Sequence, residues 1–193
     1  MSLLASPILL LTLLLGLAIL VWGVMAYNAL VRGGLRVDEA WSTVAVQLKR
    51  RASLVPNLVE TVAGYAAHER ETLETVARAR RGLDAPETGP QAAQAANAAL
   101  SQVLGRLLAV AEQYPDLKAS TGFLKLQGDL ADLEEKIAYG RQFYNRAVLD
   151  LNSQIATLPA SIIARAMNLR ERAFFEMDEP PQTPRVTFRP LEA

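Results

Sequence analysis

The side chains with the clearest potential for chemistry lie around a single histidine in a chain of 193 residues. His68 is followed by Glu69, Glu71 and Glu74, and the three-residue spacing of His68 and Glu71 places them on one side of a helix. Dinuclear sites in helical bundles use Glu-x-x-His on two helices, and zinc hydrolases of the two-histidine type need a second histidine as well. An all-oxygen calcium or magnesium site would need a loop signature that the sequence lacks. We therefore interpret His68 as a surface residue.

The sequence motifs of several other enzyme classes are also absent from this sequence. The chain has no cysteine, which excludes a thiolate nucleophile and cysteine-based zinc sites. No serine occupies a G-x-S-x-G turn, and there is no phosphate-binding glycine loop or dinucleotide fingerprint. The formal net charge is zero, so nothing indicates a general attraction to nucleic acid. We predict a protein that is not an enzyme, has no cofactor and binds no nucleic acid; a hydrolase built around His68 is the competing hypothesis.

The remaining candidates are polar side chains that could form a contact surface. The basic triplet Lys49 to Arg51 could touch lipid headgroups or nucleic acid, or form a solvated, salt-bridged face. A straight helix would place it roughly 27 Å beyond residue 31 at 1.5 Å per residue, farther than a Debye length of about 8 Å, whereas a bend at Gly33-Gly34 would bring it closer. Four other polar residues border apolar seams, and their side chains could equally be solvated or form a hydrogen bond between two helices: Asn57, Glu60, Gln142 and Asn145. The candidate interaction surface comprises Lys49, Arg50, Arg51, Asn57, Glu60, Gln142 and Asn145.

The element that precedes these residues is a membrane-length apolar segment. Residues 1–31 carry no charged side chain, and the apolar stretch from Leu3 to Ala29 exceeds the roughly 20 residues that span a bilayer. Trp22 and Tyr27 suit an interfacial aromatic belt. We predict a transmembrane anchor over residues 1–31 that contacts the bilayer through residues 3–29. A cleaved signal peptide is the less favoured alternative, because the apolar region is long and no basic segment precedes it.

The distribution of basic residues predicts the orientation of this anchor. Arg32, Arg36 and the triplet 49–51 follow the span closely, and no basic side chain precedes it. The positive-inside rule then favours a single-pass inner-membrane protein with its N-terminus outside and its bundle in the cytoplasm. Gly33-Gly34 indicates a flexible joint, so residues 32–36 are predicted to act as a hinge.

Apolar residues recur every three or four positions from Val37 to Arg81, which predicts one long amphipathic helix. Glu69 interrupts this stripe, so we expect shallower packing there. Pro56 removes a backbone donor and predicts a kink or a break near residues 53–56. Gly82 is expected to close the helix in a left-handed conformation.

The rest of the sequence predicts further helices joined by short loops. We expect one helix from Pro90 to about Tyr114, a second from about Thr121 to Thr157, and a short one from Ala160 to Met167 that Asn168 caps in the left-handed conformation. Residues 177–193 are proline-rich and predict an extended tail. The predicted fold is all-α: a transmembrane helix followed by an antiparallel bundle over residues 37–176, with three long helices and one short helix packed as in coiled coils.

Several short motifs in this sequence resemble the LemA family. They include VDEAWS at 37–42, VQLKRR at 46–51, LVPNLVETV at 54–62, YPDLK at 114–118 and RQFYN at 141–145. The resemblance covers nearly the whole chain and implies a single N-terminal transmembrane helix with a long antiparallel bundle. It carries no catalytic residues or cofactor, but it implies a place in the bacterial cell envelope and association with an HtpX-type membrane metalloprotease.

Two functional hypotheses follow from these features. The preferred one is a membrane-anchored scaffold or adaptor whose bundle binds another protein, either a membrane protease or further copies of the same chain. The alternative is a membrane-surface or membrane-shaping protein in which the kinked first bundle helix and residues 49–51 lie on lipid headgroups.

Overall fold

The computed structural model describes residues 2–66, 68–83 and 89–176, with side chains from residue 8 onward. Within these ranges the regular structure is entirely helical. The six helices are α1 (Ser2–Tyr65), α2 (Arg70–Arg81), α3 (Pro90–Ala111), α4 (Pro115–Lys118), α5 (Thr121–Ala156) and α6 (Ala160–Ala166). The all-α prediction of an N-terminal apolar helix followed by a helical bundle is confirmed.

The bundle is built around the antiparallel pair of α1 and α5. Three contacts define their register: Gly33 lies against Leu151, Val44 lies against Gly140, and Arg51 pairs with Glu134. A Cβ atom added at Gly140 would lie 3.2 Å from Cγ2 of Val44, so the missing side chain lets the two backbones approach closely. The α5 boundaries agree with the predicted 121–157 within one residue.

A kink or a break was predicted near residues 53–56, and the break is wrong, because α1 is one helix from Ser2 to Tyr65. Pro56 itself is exposed, while its neighbours Val55 and Leu58 are fully buried. Burial of the apolar face on both sides of the proline holds the helix through it, and this packing offsets the missing backbone hydrogen bond.

The predicted hinge at residues 32–36 is also part of this helix. Gly33 is buried, and a Cβ atom there would lie 3.0 Å from Cδ1 of Leu151. Gly34 has open space around it. The first glycine of the pair therefore permits close packing against α5, and the structure shows no interruption between the apolar segment and the bundle.

The helix predicted over residues 37–81 is divided where Glu69 interrupts the apolar stripe. The chain turns after Tyr65, and α2 runs back beside α1 and packs against α3. The hydroxyl of Tyr114 donates a hydrogen bond of 3.4 Å to Oε1 of the half-buried Glu69. The prediction of one continuous helix over residues 37–81 is therefore wrong, because Glu69 lies in the turn between α1 and α2.

The end of α2 is where the sequence placed it, but the predicted conformation of Gly82 is wrong. Gly82 has φ −63° and ψ −24°, which is right-handed. A Cβ atom at this position would lie 3.1 Å from Cβ of Ala96. The lack of a side chain at Gly82 therefore lets α3 pass close by, and no left-handed turn is made.

The last helices change the direction of the chain. The axis of α6 makes an angle of 94° with that of α5. Asn168 has φ 52°, which confirms its predicted left-handed cap. After it, residues 169–176 run without regular structure back along α1 and α5. The predicted tail at 177–193 and most of the loop at 82–90 lie outside the described residues.

Candidate interaction surface

Arg51, one member of the predicted basic surface, is a buried residue. Its side chain is only 3% exposed and lies between α1, α3 and α5. One guanidinium nitrogen donates a hydrogen bond to Oδ1 of buried Asn97, and the other forms an ion pair with Glu134. Its Nε atom has no hydrogen-bond partner within the described part of the chain. The prediction that Arg51 lies on a solvated or lipid-binding face is therefore wrong.

The electrostatics of Arg51 follow from this position. Burial lowers the pKa of the guanidinium, and the negative charge of Glu134 acts in the opposite direction. Arginine has so high an ordinary pKa that it stays protonated at neutral pH. The side chain is thus a buried cation that joins three helices, and its planar fork of donors suits two different acceptors.

Asn145, a second predicted surface residue, fastens the segment 169–176 to α5. Its side-chain amide donates to the carbonyl of Phe175 at 3.1 Å, and its Oδ1 accepts from the backbone N–H of Phe175 at 2.9 Å. Asn152 binds both backbone groups of Arg172 in the same way, each at 2.9 Å. The two asparagines are seven residues apart and lie on one helix face. Their side chains bind the backbone N–H and C=O groups of the segment 169–176, as the backbone of a neighbouring β-strand would.

An aromatic cluster lies beneath this segment. The ring of Trp41 lies 5.7 Å from those of both Tyr144 and Phe175, centroid to centroid. The Tyr144 hydroxyl donates to the carbonyl of Ala173 at 2.8 Å. Burial raises the pKa of Tyr144, against the smaller opposing effect of Arg172. Arg172 in turn reaches Asp38 of α1 at 3.4 Å, so the segment closes one side of the α1–α5 pair.

The five other predicted surface residues are exposed but are not brought together. Lys49, Arg50, Asn57 and Glu60 project from α1, and Gln142 projects from α5. In the observed register Gln142 lies level with residue 42, roughly 22 Å along the helix from Asn57 at 1.5 Å per residue. Arg50 alone joins a small surface depression with Asp129, Asp132 and Lys136 of α5. Sequence reasoning therefore named exposed positions without identifying one surface.

The structure shows a more coherent surface on α5, which the sequence analysis missed. Tyr139 is 74% exposed and Phe143 is 58% exposed, four residues apart on one helix face. Exposed Lys136 and Arg146 occupy positions three residues before and after them on that face. We call these four residues the α5 aromatic face. The sequence did contain a sign of this surface, because Tyr139 and Phe143 lie outside the apolar seam of α5. Aromatic residues in the seam are buried between helices, whereas aromatic residues outside it are exposed.

The α5 aromatic face has the composition of a protein-binding surface. Tyrosine, phenylalanine and arginine are enriched where proteins meet, since rigid rings bury much area at little entropic cost. Isolated exposed aromatic residues are ordinary, but two neighbouring rings flanked by cations form a patch. This face can bind an apolar or acidic partner.

The side chains considered for catalysis are dispersed. His68 is exposed at the turn between α1 and α2. In residues 2–66, 68–83 and 89–176, no three histidine, aspartate or glutamate side chains gather as a metal site would require. A groove of about 960 Å³ lies between α3 and the segment 169–176, and its lining is mostly glutamine and alanine, with Glu176 at the edge.

Comparison with known proteins agrees with the family resemblance that the sequence motifs indicate. The family model described as the LemA family matches residues 40–188. Protein LemA of Metamycoplasma hominis is 27% identical over 152 residues, which is 79% of this chain and 69% of the relative. Magnetosome protein MamQ 2 of Paramagnetospirillum magneticum is 26% identical over 188 residues, covering 84% of this chain and 69% of the relative.

Proposed function

This chain belongs to the LemA family, and we propose that it is a membrane-anchored, non-enzymatic scaffold whose helical bundle binds another protein. The observation that carries the proposal is the α5 aromatic face, which exposes Tyr139 and Phe143 between cations. Rings this exposed on a regular helix contribute little to the fold. Their surface becomes useful when a partner covers it.

The apolar part of α1 supplies the anchor in this proposal. By length and composition it is the one single helix within the described residues that can cross a membrane, and none of its apolar window is buried by the rest of the protein. Because α1 continues without a break into the bundle, a partner is held at a fixed distance from the apolar segment. A rigid connection suits a scaffold that presents one face to a neighbour in the same membrane.

The partner in this proposal is a protein of the same membrane, and the family resemblance makes an HtpX-type membrane protease one candidate to test. A second copy of the chain is another. The alternative function, in which the triplet 49–51 lies on headgroups, receives no support from the geometry. Arg51 is buried on Glu134, and the continuous helix places Lys49 roughly 27 Å beyond residue 31.

Photocrosslinking from Tyr139 in intact cells tests the scaffold proposal. A photoreactive residue at Tyr139 of the full chain is expected to give a discrete protein adduct, because this ring lies in the proposed contact. The matched control is Leu124, which is 51% exposed on the same helix but about two heptads away from Tyr139. The Phe143→Ala change should weaken the Tyr139 adduct by removing the neighbouring ring.

The adduct itself identifies the partner. A product of twice the mass of the chain means a second copy, and any other discrete mass means a different protein. No adduct at Tyr139, or equal adducts at Tyr139 and Leu124, would refute a specific contact at the α5 aromatic face.

The proposal also places the bundle in the cytoplasm. Single cysteines at Ser2 and Ala193 can be introduced into this cysteine-free chain and treated with an impermeant thiol reagent in intact cells. We expect only the Ser2 variant to react, because the basic residues after the span remain inside. Reaction of the Ala193 variant alone would reverse the orientation. Lysed cells, in which both variants must react, provide the control.

A further inference from the structure

The register of α1 against α5 brings the end of α5 to the level of the membrane boundary. Gly33 contacts both Leu151 and Gln154, and each further step along α5 corresponds to one step back along α1. In this register Leu158 lies level with Ala26. The apolar stretch that is predicted to contact the bilayer ends at Ala29, one helical turn beyond Ala26. The turn that follows α5 therefore lies where the apolar segment of α1 would leave the bilayer.

The direction of α6 fits a membrane surface. Since α5 runs antiparallel to α1 and α6 makes an angle of 94° with α5, the axis of α6 is nearly perpendicular to the spanning segment. A helix with this direction lies along the plane of the membrane. It packs against both α1 and α5, so its position relative to the anchor is fixed by the bundle.

The exposed side of α6 and of the turn before it is apolar. Leu158 is 78% exposed and Ile162 is 62% exposed, and they are four positions apart in the sequence. The opposite side of α6 carries Ser161 and Ala164, which are buried against the bundle. Taken together, α5 and α6 contain a stretch apolar enough to pass as a membrane segment, yet the bend prevents a straight span. The exposed Arg165 follows on the same short helix, and an arginine beside an apolar surface can extend its charged end toward water and headgroups.

We propose that residues 157–167 form a second membrane contact, in which Leu158 and Ile162 enter the interfacial zone of the bilayer that α1 crosses. Short amphipathic helices bind membranes in this way, with their apolar side buried at the boundary between headgroups and acyl chains. The inference rests on the proposed membrane anchor. Two contacts at right angles to each other fix the tilt of the bundle, which a single spanning helix leaves free, and thereby fix the height at which the α5 aromatic face stands.

Depth-dependent fluorescence quenching tests this contact in the full chain. Single cysteines at Leu158, Ile162, Leu17 and Leu124 carry an environment-sensitive fluorophore, and the chain is reconstituted into vesicles of phosphatidylcholine and phosphatidylglycerol. The lipids carry a quencher either at the headgroup or deep in the acyl chain. Leu17 reports on the middle of the span, and Leu124 is an exposed leucine at the far end of the bundle.

We expect emission at Leu158 and Ile162 to shift to shorter wavelength and to be quenched more by the shallow label than by the deep one. Leu17 should be quenched best by the deep label, and Leu124 by neither. If Leu17 responds but Leu158 and Ile162 do not, the second contact is refuted while the anchor stands. If Leu17 is not quenched, the anchor itself fails. Stronger quenching of Ile162 by the deep label would refute the in-plane arrangement, and quenching of Leu124 would mean unspecific adsorption of the bundle.

Discussion

Replacement of Glu134 by alanine is expected to lower the free energy of unfolding by about 2 to 3 kcal/mol, because it leaves Arg51 as a buried cation without a counter-charge. Loss of one partner from a fully buried pair costs about 3 to 5 kcal/mol. Glu134 is 41% exposed, so solvent screens part of the attraction and the expected loss lies at or below the lower end of that range. Chemical denaturation of the full chain in detergent micelles, followed by circular dichroism, measures the change.

Two further variants separate charge from packing at this site. Arg51→Met keeps most of the volume and frees Glu134 to be hydrated, so it should cost only about 1 to 2 kcal/mol, from the unsatisfied buried amide of Asn97. The double variant Arg51→Met, Glu134→Ala should be no less stable than Arg51→Met alone. Glu135→Ala, an exposed neighbour on α5, is the matched control and should change stability by less than about 0.5 kcal/mol. A Glu134→Ala effect as small as that of the control would refute the structural role of the buried cation.

Replacement of Phe175 by alanine is expected to release the segment 169–176 from the bundle. Phe175 is fully buried and packs on Trp41, and removal of a buried phenylalanine side chain costs about 3 to 5 kcal/mol. The other attachments of the segment are half-buried or exposed hydrogen bonds and one exposed ion pair, which contribute little each. The segment should therefore open before the helices unfold.

Limited trypsin digestion and hydrogen exchange detect this release. Cleavage after Arg170 and Arg172 should become faster in Phe175→Ala, and backbone amides of 169–176 should lose protection while those of α5 keep most of theirs. Phe174→Ala is the matched control, because its ring is 38% exposed and belongs to the same segment. Equal cleavage rates in the two variants would show that burial of Phe175 does not hold the segment in place.

The two variants act on separate layers of the same bundle. Arg51 with Asn97 and Glu134 joins α1, α3 and α5 at the middle of the bundle, whereas Phe175 closes the α1–α5 pair nearer the apolar segment of α1. If both predictions hold, the bundle is a rigid support on which the exposed α5 aromatic face keeps a constant position. That rigidity is what the proposed scaffold function requires of the fold.

The sequence by itself determined the features that depend on neighbours along the chain. The uninterrupted apolar stretch, the start of α3 at Pro90, the length of α5 and the left-handed cap at Asn168 all follow from local periodicity and backbone preference. The family motifs are local too, and the match over residues 40–188 bears out the resemblance.

Only the tertiary structure decided the features that depend on what lies opposite a residue. Pro56 stays within a helix because Val55 and Leu58 are buried on either side of it, and Gly33 and Gly82 are small because another helix passes within van der Waals distance. The sequence of the basic triplet 49–51 suggests one surface motif. In the structure, however, Arg51 forms an ion pair with Glu134, while Lys49 and Arg50 face solvent. Periodicity in the sequence assigns a residue to one face of a helix. The register between helices that are distant in the sequence decides which side chain lies opposite that residue, and therefore whether a charge is paired or hydrated.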